Sequence, residues 1–289
     1  MKEYMSNVQL IDYLISKKVN VINKEEAIKK IEKYTYYSIV NSYKFNFKDS
    51  KNNYLPNVSF DEIYALFEFD KNLKYIILKY TLEIETITKS LMANQISKNY
   101  GLVNYLTIDN LDTKSPVETK EKLINKINEE INHNYNIHSA ITHYKDKYGY
   151  IPPFVLMKIL TFGVTSRYYG LLKQKDRQEI AKYFKISDKL LKQILKNLTS
   201  IRNIAAHSDR LFCFRDKYTL SFKIIDKNYT VKDNTTNIYM MIKALKLVLT
   251  NDLYNEMIKR INNEIKILDS KLSSISINDI LKIMGYPNT

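Results

Sequence analysis

The segment RNIAAHSDRLF, residues 202–212, places an arginine and a histidine five positions apart. Histidine titrates near neutral pH, so His207 can take up and return a proton under ordinary conditions. Arg202 carries a permanent charge, and its planar guanidinium grips phosphate or carboxylate at two points. Together they suit proton transfer beside an anionic centre that a fixed cation stabilises. Asn203, four residues before His207, shares its helix face and can orient the imidazole or hold a phosphate oxygen. Arg210, three residues after His207, is expected just outside the helix. There it either binds nucleic-acid backbone or braces the hairpin beyond it.

The element that must position these groups is a helix over 187–208. On a helical wheel Leu191, Leu195, Leu198, Ile201 and Ala205 define an apolar side, and Arg202 falls near the middle of that arc. A cation so placed is costly unless an anion meets it. Two arrangements would meet that cost. Either an internal carboxylate such as Glu83 or Glu85 pairs with it, or it waits for a phosphate in a groove or at a subunit interface. His207 lies about 140° round from it on an ideal helix.

Helical periodicity dominates the rest of the 289 residues. Helices are expected over 6–17, from a cap at Asn23 to about Tyr43, and from a Ser59/Glu62 capping box to about Lys98. The last is long enough to predict an internal break. A polar helix over 120–145 comes after a linker at 107–119 that contains Ser115-Pro116. Further helices are expected at about 154–162, 166–184, 235–250 and 251–270, with a short one ending at Met284-Gly285. After the 187–208 helix the period changes. Leu211, Cys213, Tyr218, Leu220, Phe222 and Ile224 alternate, which predicts a small β-hairpin turning near Asp216-Lys217. Only 5 Gly and 5 Pro leave little material for the turns of a sandwich or barrel. The fold class is therefore all-α with one small hairpin.

Forty-five basic against 31 acidic side chains give a formal net charge of +14, which favours a polyanionic partner. Only six of the basic residues are arginine, and none precedes Arg167. Where lysine is the default, each arginine is a place where two-point phosphate contact can matter, and Arg167 and Arg210 are the candidates for contact with RNA. The single cysteine, Cys213, excludes an internal disulfide and any cysteine-based zinc cluster. The start MKEYMSNVQLIDYL is too polar for a signal peptide, and no apolar run approaches a membrane span, so a cytoplasmic location without membrane contact is expected. His133, His138 and His143 repeat every five residues, which puts them on different helix faces, so no metal site is expected. There is no glycine-rich phosphate loop, and no cofactor is expected. The tyrosine clusters fall at helical spacing, which suits a core, although tyrosines also stack on bases.

The extended string Arg202-Asn203-x-x-Ala206-His207-x-x-Arg210-Leu211-Phe212 resembles the motif of HEPN ribonucleases. The version is that of the Abi family of phage-abortive-infection proteins, the AbiD/AbiF group. Other segments resemble that family too. IEKYTYYSIVNSY looks like its tyrosine-rich second helix. FDEIYALFEFDKNLKYIILKYTLEIETITKSLMANQIS looks like its long central helices, with Glu85 and Lys89 where Glu-x-x-x-Arg is typical. YIPPFVLMKILTFGVTSRYYGLL carries Phe154 where tryptophan is usual, and IMGYPNT matches the closing Gly-aromatic-Pro. Residues 100–148 show no specific correspondence.

The resemblance implies one Abi-type domain over 1–289. Its N-terminal helices would occupy 1–58, and a HEPN-like helical bundle 59–289, with the hairpin at about 210–225. It implies metal-independent cleavage of RNA by attack of the neighbouring 2′-hydroxyl, which leaves a 2′,3′-cyclic phosphate, with Arg202, His207 and Asn203 as catalytic residues. It further implies a homodimer, because two motifs facing one cleft supply both an acid and a base. Members of the group are found beside structured non-coding RNAs, so such an RNA is an expected antitoxin partner. The alternatives are a protein of this fold that binds RNA without cutting it, and a DNA-binding regulator, for which no recognisable helix-turn-helix is present.

Overall fold

From Phe60 to Tyr100 the sequence contains neither glycine nor proline, and in the computed structural model this stretch is one unbroken helix of 41 residues, α3. The structure describes residues 3–207, 209–218, 220, 221, 225 and 235–287. Before α3 come α1 (Asn7–Ser16) and α2 (Lys24–Tyr34). After it come α4 (Val117–Asn134), α5 (Ser139–Tyr148), α6 (Pro153–Ile159), α7 (Phe162–Leu171), α8 (Gln174–Tyr183) and α9 (Asp188–Ala206). The chain ends with α10 (Ile238–Leu245), α11 (Asn251–Asp269) and α12 (Ile277–Met284). The fold is all-α with one small pair of strands.

The break expected inside α3 does not occur. Nothing in its sequence interrupts the hydrogen-bond ladder, and α6, α8, α9 and α11 all pack along it. Neighbours on several sides bury residues around much of its circumference, from Phe60 and Ile63 to Thr88 and Ile96. Tertiary packing of this kind supplies most of the stability of a long helix.

Three other expected helices are interrupted. Thr35 adopts a left-handed φ of 64° and ends α2, and the tyrosine-rich run continues as a π-turn (Tyr37–Asn41) and a 3-10 turn (Lys44–Phe47). Asn136, at φ 66°, separates α4 from α5, and Thr142 Oγ1 accepts its backbone N–H. Asparagine tolerates that conformation better than most residues. Between α7 and α8 the chain turns at Leu172 and Lys173, whose dihedrals are extended or nearly so.

The strand pair also differs in register from the hairpin expected. β1 (Arg215–Asp216) pairs antiparallel with β2 (Thr236–Asn237), Arg215 opposite Asn237 and Asp216 opposite Thr236. Of the alternating run that suggested a turn at Asp216-Lys217, residues 219 and 222–224 lie outside the described residues. Polar contacts tie this region to α9. Asn197 Nδ2 donates to the Tyr218 carbonyl, and Gln193 Oε1 accepts the Ser221 N–H.

Glu62 joins the two ends of the fold. It completes the capping box of α3, and its other oxygen, Oε1, accepts the N–H groups of Ser273 and Ser274 in the turn between α11 and α12. Burial opposes its charge, but the donors from Ser274, Ser273 and Ser59 prevail and hold its pKa below the ordinary value. A carboxyl with a depressed folded-state pKa stabilises the fold above its unfolded pKa, and that contribution is lost as pH falls through the folded value. Wild-type protein should therefore lose melting temperature as pH drops below about 4.5, the unfolded range for glutamate. Glu62→Gln should melt lower than wild type at pH 7 and show a flatter acid limb in a thermal-melt series.

Candidate functional site

The Ser187 hydroxyl starts α9 by accepting the Leu190 N–H, and Leu191, Ile194, Leu195, Leu198 and Ile201 bury its inner face. That face meets α3, α7 and α8. The ends of α9 set its direction. Near its start, Asp188 pairs with Arg177 of α8, and neighbouring Asp176 accepts from Gln95 and Asn99 at the far end of α3. Past its end, Leu211 and Phe212 bond to Asp70, near the beginning of α3. The two helices therefore run antiparallel.

Arg202, which helical spacing sets between Leu191 and Leu195 on this face, is half-buried. Its Nε is fully covered and has no hydrogen-bond partner, and no carboxylate lies within ion-pair distance of the guanidinium among the described residues. The internal pairing considered for it is absent. Glu83 is exposed, while Glu85 pairs instead with Lys89, 2.7 Å away on its own helix. A covered guanidinium N–H with no acceptor carries the full desolvation penalty of a polar group.

His207 is the C-cap of α9 rather than part of the helix. Its backbone leaves the helical region at φ −109° and ψ 173°, and its N–H returns to the carbonyls of Asn203 and Ile204. The side chain is exposed, as is that of Asn203. Asn203 and His207 are thus linked through the backbone, and no side-chain hydrogen bond joins them among the described residues. The helix end releases the imidazole into solvent beside the last turn, which carries Arg202.

The segment beyond His207 is held firmly by Asp70, which is fully buried. Its Oδ1 and Oδ2 accept the Leu211 N–H, Oδ1 accepts the Phe212 N–H at 2.6 Å, and Oδ2 accepts the Tyr43 hydroxyl at 2.7 Å. The Lys74 ammonium lies 3.7 Å from Oδ2 and donates to the Asp209 carbonyl. Burial pushes the Asp70 carboxyl up, opposed by Lys74, Tyr43 and the two backbone donors. Three hydrogen-bond donors with an ammonium beside them suit a carboxylate. Burial and the Asp70 charge in turn raise the Tyr43 phenol, which therefore remains a donor.

Arg210 donates from Nη1 to the Ser42 carbonyl at 2.8 Å. It braces the motif against the N-terminal segment, not against the strand pair. Arg167 is exposed on α7, and no hydrogen bond or ion pair joins it to Arg202 or His207 among the described residues. The sequence pattern drew no notice to Asp70, Lys74 or Tyr43. A signal was present: Asp70 stands seven residues after Ile63 and seven before Ile77, where helical spacing calls for an apolar side chain.

The three histidines at 133, 138 and 143 fall at the end of α4, at the cap of α5 and within α5. No group of three or more metal-binding side chains lies together among the described residues. No described helix is long and apolar enough to cross a membrane.

Residues 29–213 match the family model described as Abi-like protein. The chain belongs to the Abi-like protein family. The matched region runs from α2 to Cys213 and so includes α3, α9, the Arg202–His207 pair and the Asp70 anchor. Membership links the chain to abortive infection, a phage-defence response. No significant match was found among curated proteins or among solved structures.

If Asp70 holds the motif's exit, Asp70→Ala should destabilise the protein by about 3–5 kcal/mol, since it strands the Lys74 charge and three buried donors. Arg210→Ala removes one exposed contact and should leave the melting temperature nearly unchanged. Differential scanning calorimetry of both variants checks this contrast. Equal, small effects would show that the anchor is dispensable.

Proposed function

We propose that this Abi-like protein is a metal-independent endoribonuclease of the HEPN type, acting as a growth-arresting toxin in phage defence. One observation carries the reading. A half-buried guanidinium with a covered, unpartnered N–H stands in the last turn of a helix that ends at an exposed histidine. An arginine held uncompensated against an apolar face is costly, and an incoming phosphate relieves that cost. The +14 charge supplies the long-range attraction that brings RNA to it.

In this reading the 2′-oxygen attacks the adjacent phosphorus while its proton passes to a base. The bond from phosphorus to the 5′-oxygen then breaks, and that oxygen takes a proton. The products are a 2′,3′-cyclic phosphate and a 5′-hydroxyl. Arg202 stabilises the charge that builds on the phosphoryl oxygens, and His207 moves the proton. Asn203, exposed on the same turn, contacts substrate, while Arg210 and Arg167 bind its backbone. One imidazole cannot serve as base and acid in the same step, so a homodimer that brings two motifs together completes the site. A structured RNA bound to the basic surface is the natural antitoxin.

The test is incubation of purified wild type, Arg202→Ala and His207→Ala with total RNA in excess EDTA, followed by end-group analysis. Wild type should leave 2′,3′-cyclic ends. Each variant should lose at least about 100-fold in rate while keeping its RNA affinity, which rests mostly on lysine. If wild type stripped of co-purified RNA cuts neither in EDTA nor with Mg²⁺ or Mn²⁺, yet binds RNA in a salt-sensitive way, the protein is a binding module and the ribonuclease reading fails.

A further inference from the structure

A second basic site lies in the N-terminal part of the fold, outside the RNIAAHSDRLF segment. The end of α1, the tyrosine-rich turn and the loop 48–54 enclose a cavity of about 660 Å³. Its walls include Lys17, Lys18 and Lys48 together with Tyr13, Tyr36 and Tyr54, and no acidic side chain. None of these three lysines enters an ion pair among the described residues; the Lys48 ammonium donates to two neutral oxygens of Asn52, each at 3.0 Å, and so keeps its net charge for an anion. Asp49, the acidic residue nearest in sequence, turns Oδ1 into its own loop, where it accepts the N–H groups of Lys51 and Asn53.

Charge and rings alternate around this cavity. The Lys48 ammonium lies 4.8 Å from the centre of the Tyr54 ring, and that of Lys17 lies 5.4 Å from Tyr13. Burial pushes the Tyr54 phenol up to about 12 and raises Tyr36 as well, so both hydroxyls stay protonated and can donate. Ammonium groups and phenol donors suit phosphoryl oxygens, and flat rings suit a base.

The helix end fixes the position of Lys18 beside the cavity. The end of α1 is a Schellman turn, with Lys18 N–H on the Ile15 carbonyl and Val19 N–H on the Leu14 carbonyl. Lys18 occupies its left-handed position at φ 65°, where glycine is the favoured residue. Lys18 is one of the residues lining the cavity. The volume falls within the range of small-molecule sites.

We propose that this cavity binds a nucleotide, its phosphates on Lys17, Lys18 and Lys48 and its base against the tyrosine rings. The nucleotide is either free or the phosphorylated end of an RNA strand. This assignment stands apart from the ribonuclease reading, because none of its residues belongs to the Arg202–His207 pair.

Calorimetric titration of the full chain with ATP and with inorganic triphosphate tests it. ATP should bind saturably and about tenfold more tightly than triphosphate, since only it offers a base to the rings. Lys18→Glu/Lys48→Glu should weaken ATP at least about tenfold, and Lys122→Glu/Lys147→Glu, the same charge change on α4 and α5, less than about twofold. Lys18→Gly should weaken ATP while leaving the melting temperature equal or higher, which separates lost binding from lost folding. Competition by a 5′-phosphorylated oligonucleotide, but not by its 5′-hydroxyl form, assigns the ligand to an RNA end. Competition by ATP alone assigns it to the free nucleotide. No saturable binding of either probe, equal affinity for triphosphate and ATP, or equal losses in both double variants would overturn the proposal.

Discussion

The buried Asp70 carboxylate is the constraint on which the candidate site depends. It gathers partners from three separate parts of the chain: the Tyr43 hydroxyl before α3, the Lys74 ammonium one turn further along α3, and the amides of Leu211 and Phe212 beyond α9. A charge in the interior is tolerated only when its lone pairs are occupied. Each donor therefore has to stay in place, and the segment leaving His207 inherits a defined path. The candidate histidine needs that definition, because it stands at a helix end, where backbone order is otherwise weakest.

The same device recurs along the central helix. Glu62 fastens the α11–α12 turn to the start of α3, and Asp176 fastens α8 to its far end through Gln95, Asn99 and Tyr100. A 41-residue helix has too much surface for apolar packing alone to choose a single register for its neighbours. Directional carboxylate contacts along it, near the start, at Asp70 and at the far end, remove that freedom. Arg202 is the counter-example. Its Nε is covered without an acceptor, as is one oxygen each of Glu85 and Asp216, but Arg202 alone of the three also lacks an ion-pair or hydrogen-bond contact through its other polar atoms among the described residues.

Much of this was legible in the residues. Low glycine and proline content, the Ser59/Glu62 capping box and apolar spacing of 3 to 4 residues suffice for an all-α fold and for the start of α3. The Arg202–His207 spacing, the apolar arc and the basic charge are one-dimensional facts, and the family match over 29–213 spans the Arg202–His207 string. Where the reading failed, non-local packing was decisive. The continuity of α3 depends on neighbours far away in sequence. The breaks at Thr35 and Asn136 are single left-handed residues whose periodic surroundings hide them.

The sequence by itself therefore determined the class of the fold, the start of the main helix and the presence of a titratable histidine close to a fixed cation, because helical period and side-chain chemistry are local properties. Only the tertiary structure decided which of those residues have partners. It left Arg202 without the internal carboxylate that the acidic residues of α3 seemed to offer, and turned Arg210 toward Ser42. It also brought Asp70 to amides 141 and 142 positions away. Whether a charge is met or left open depends on which segments share the interior, and contacts of that range are written in no short stretch of chain.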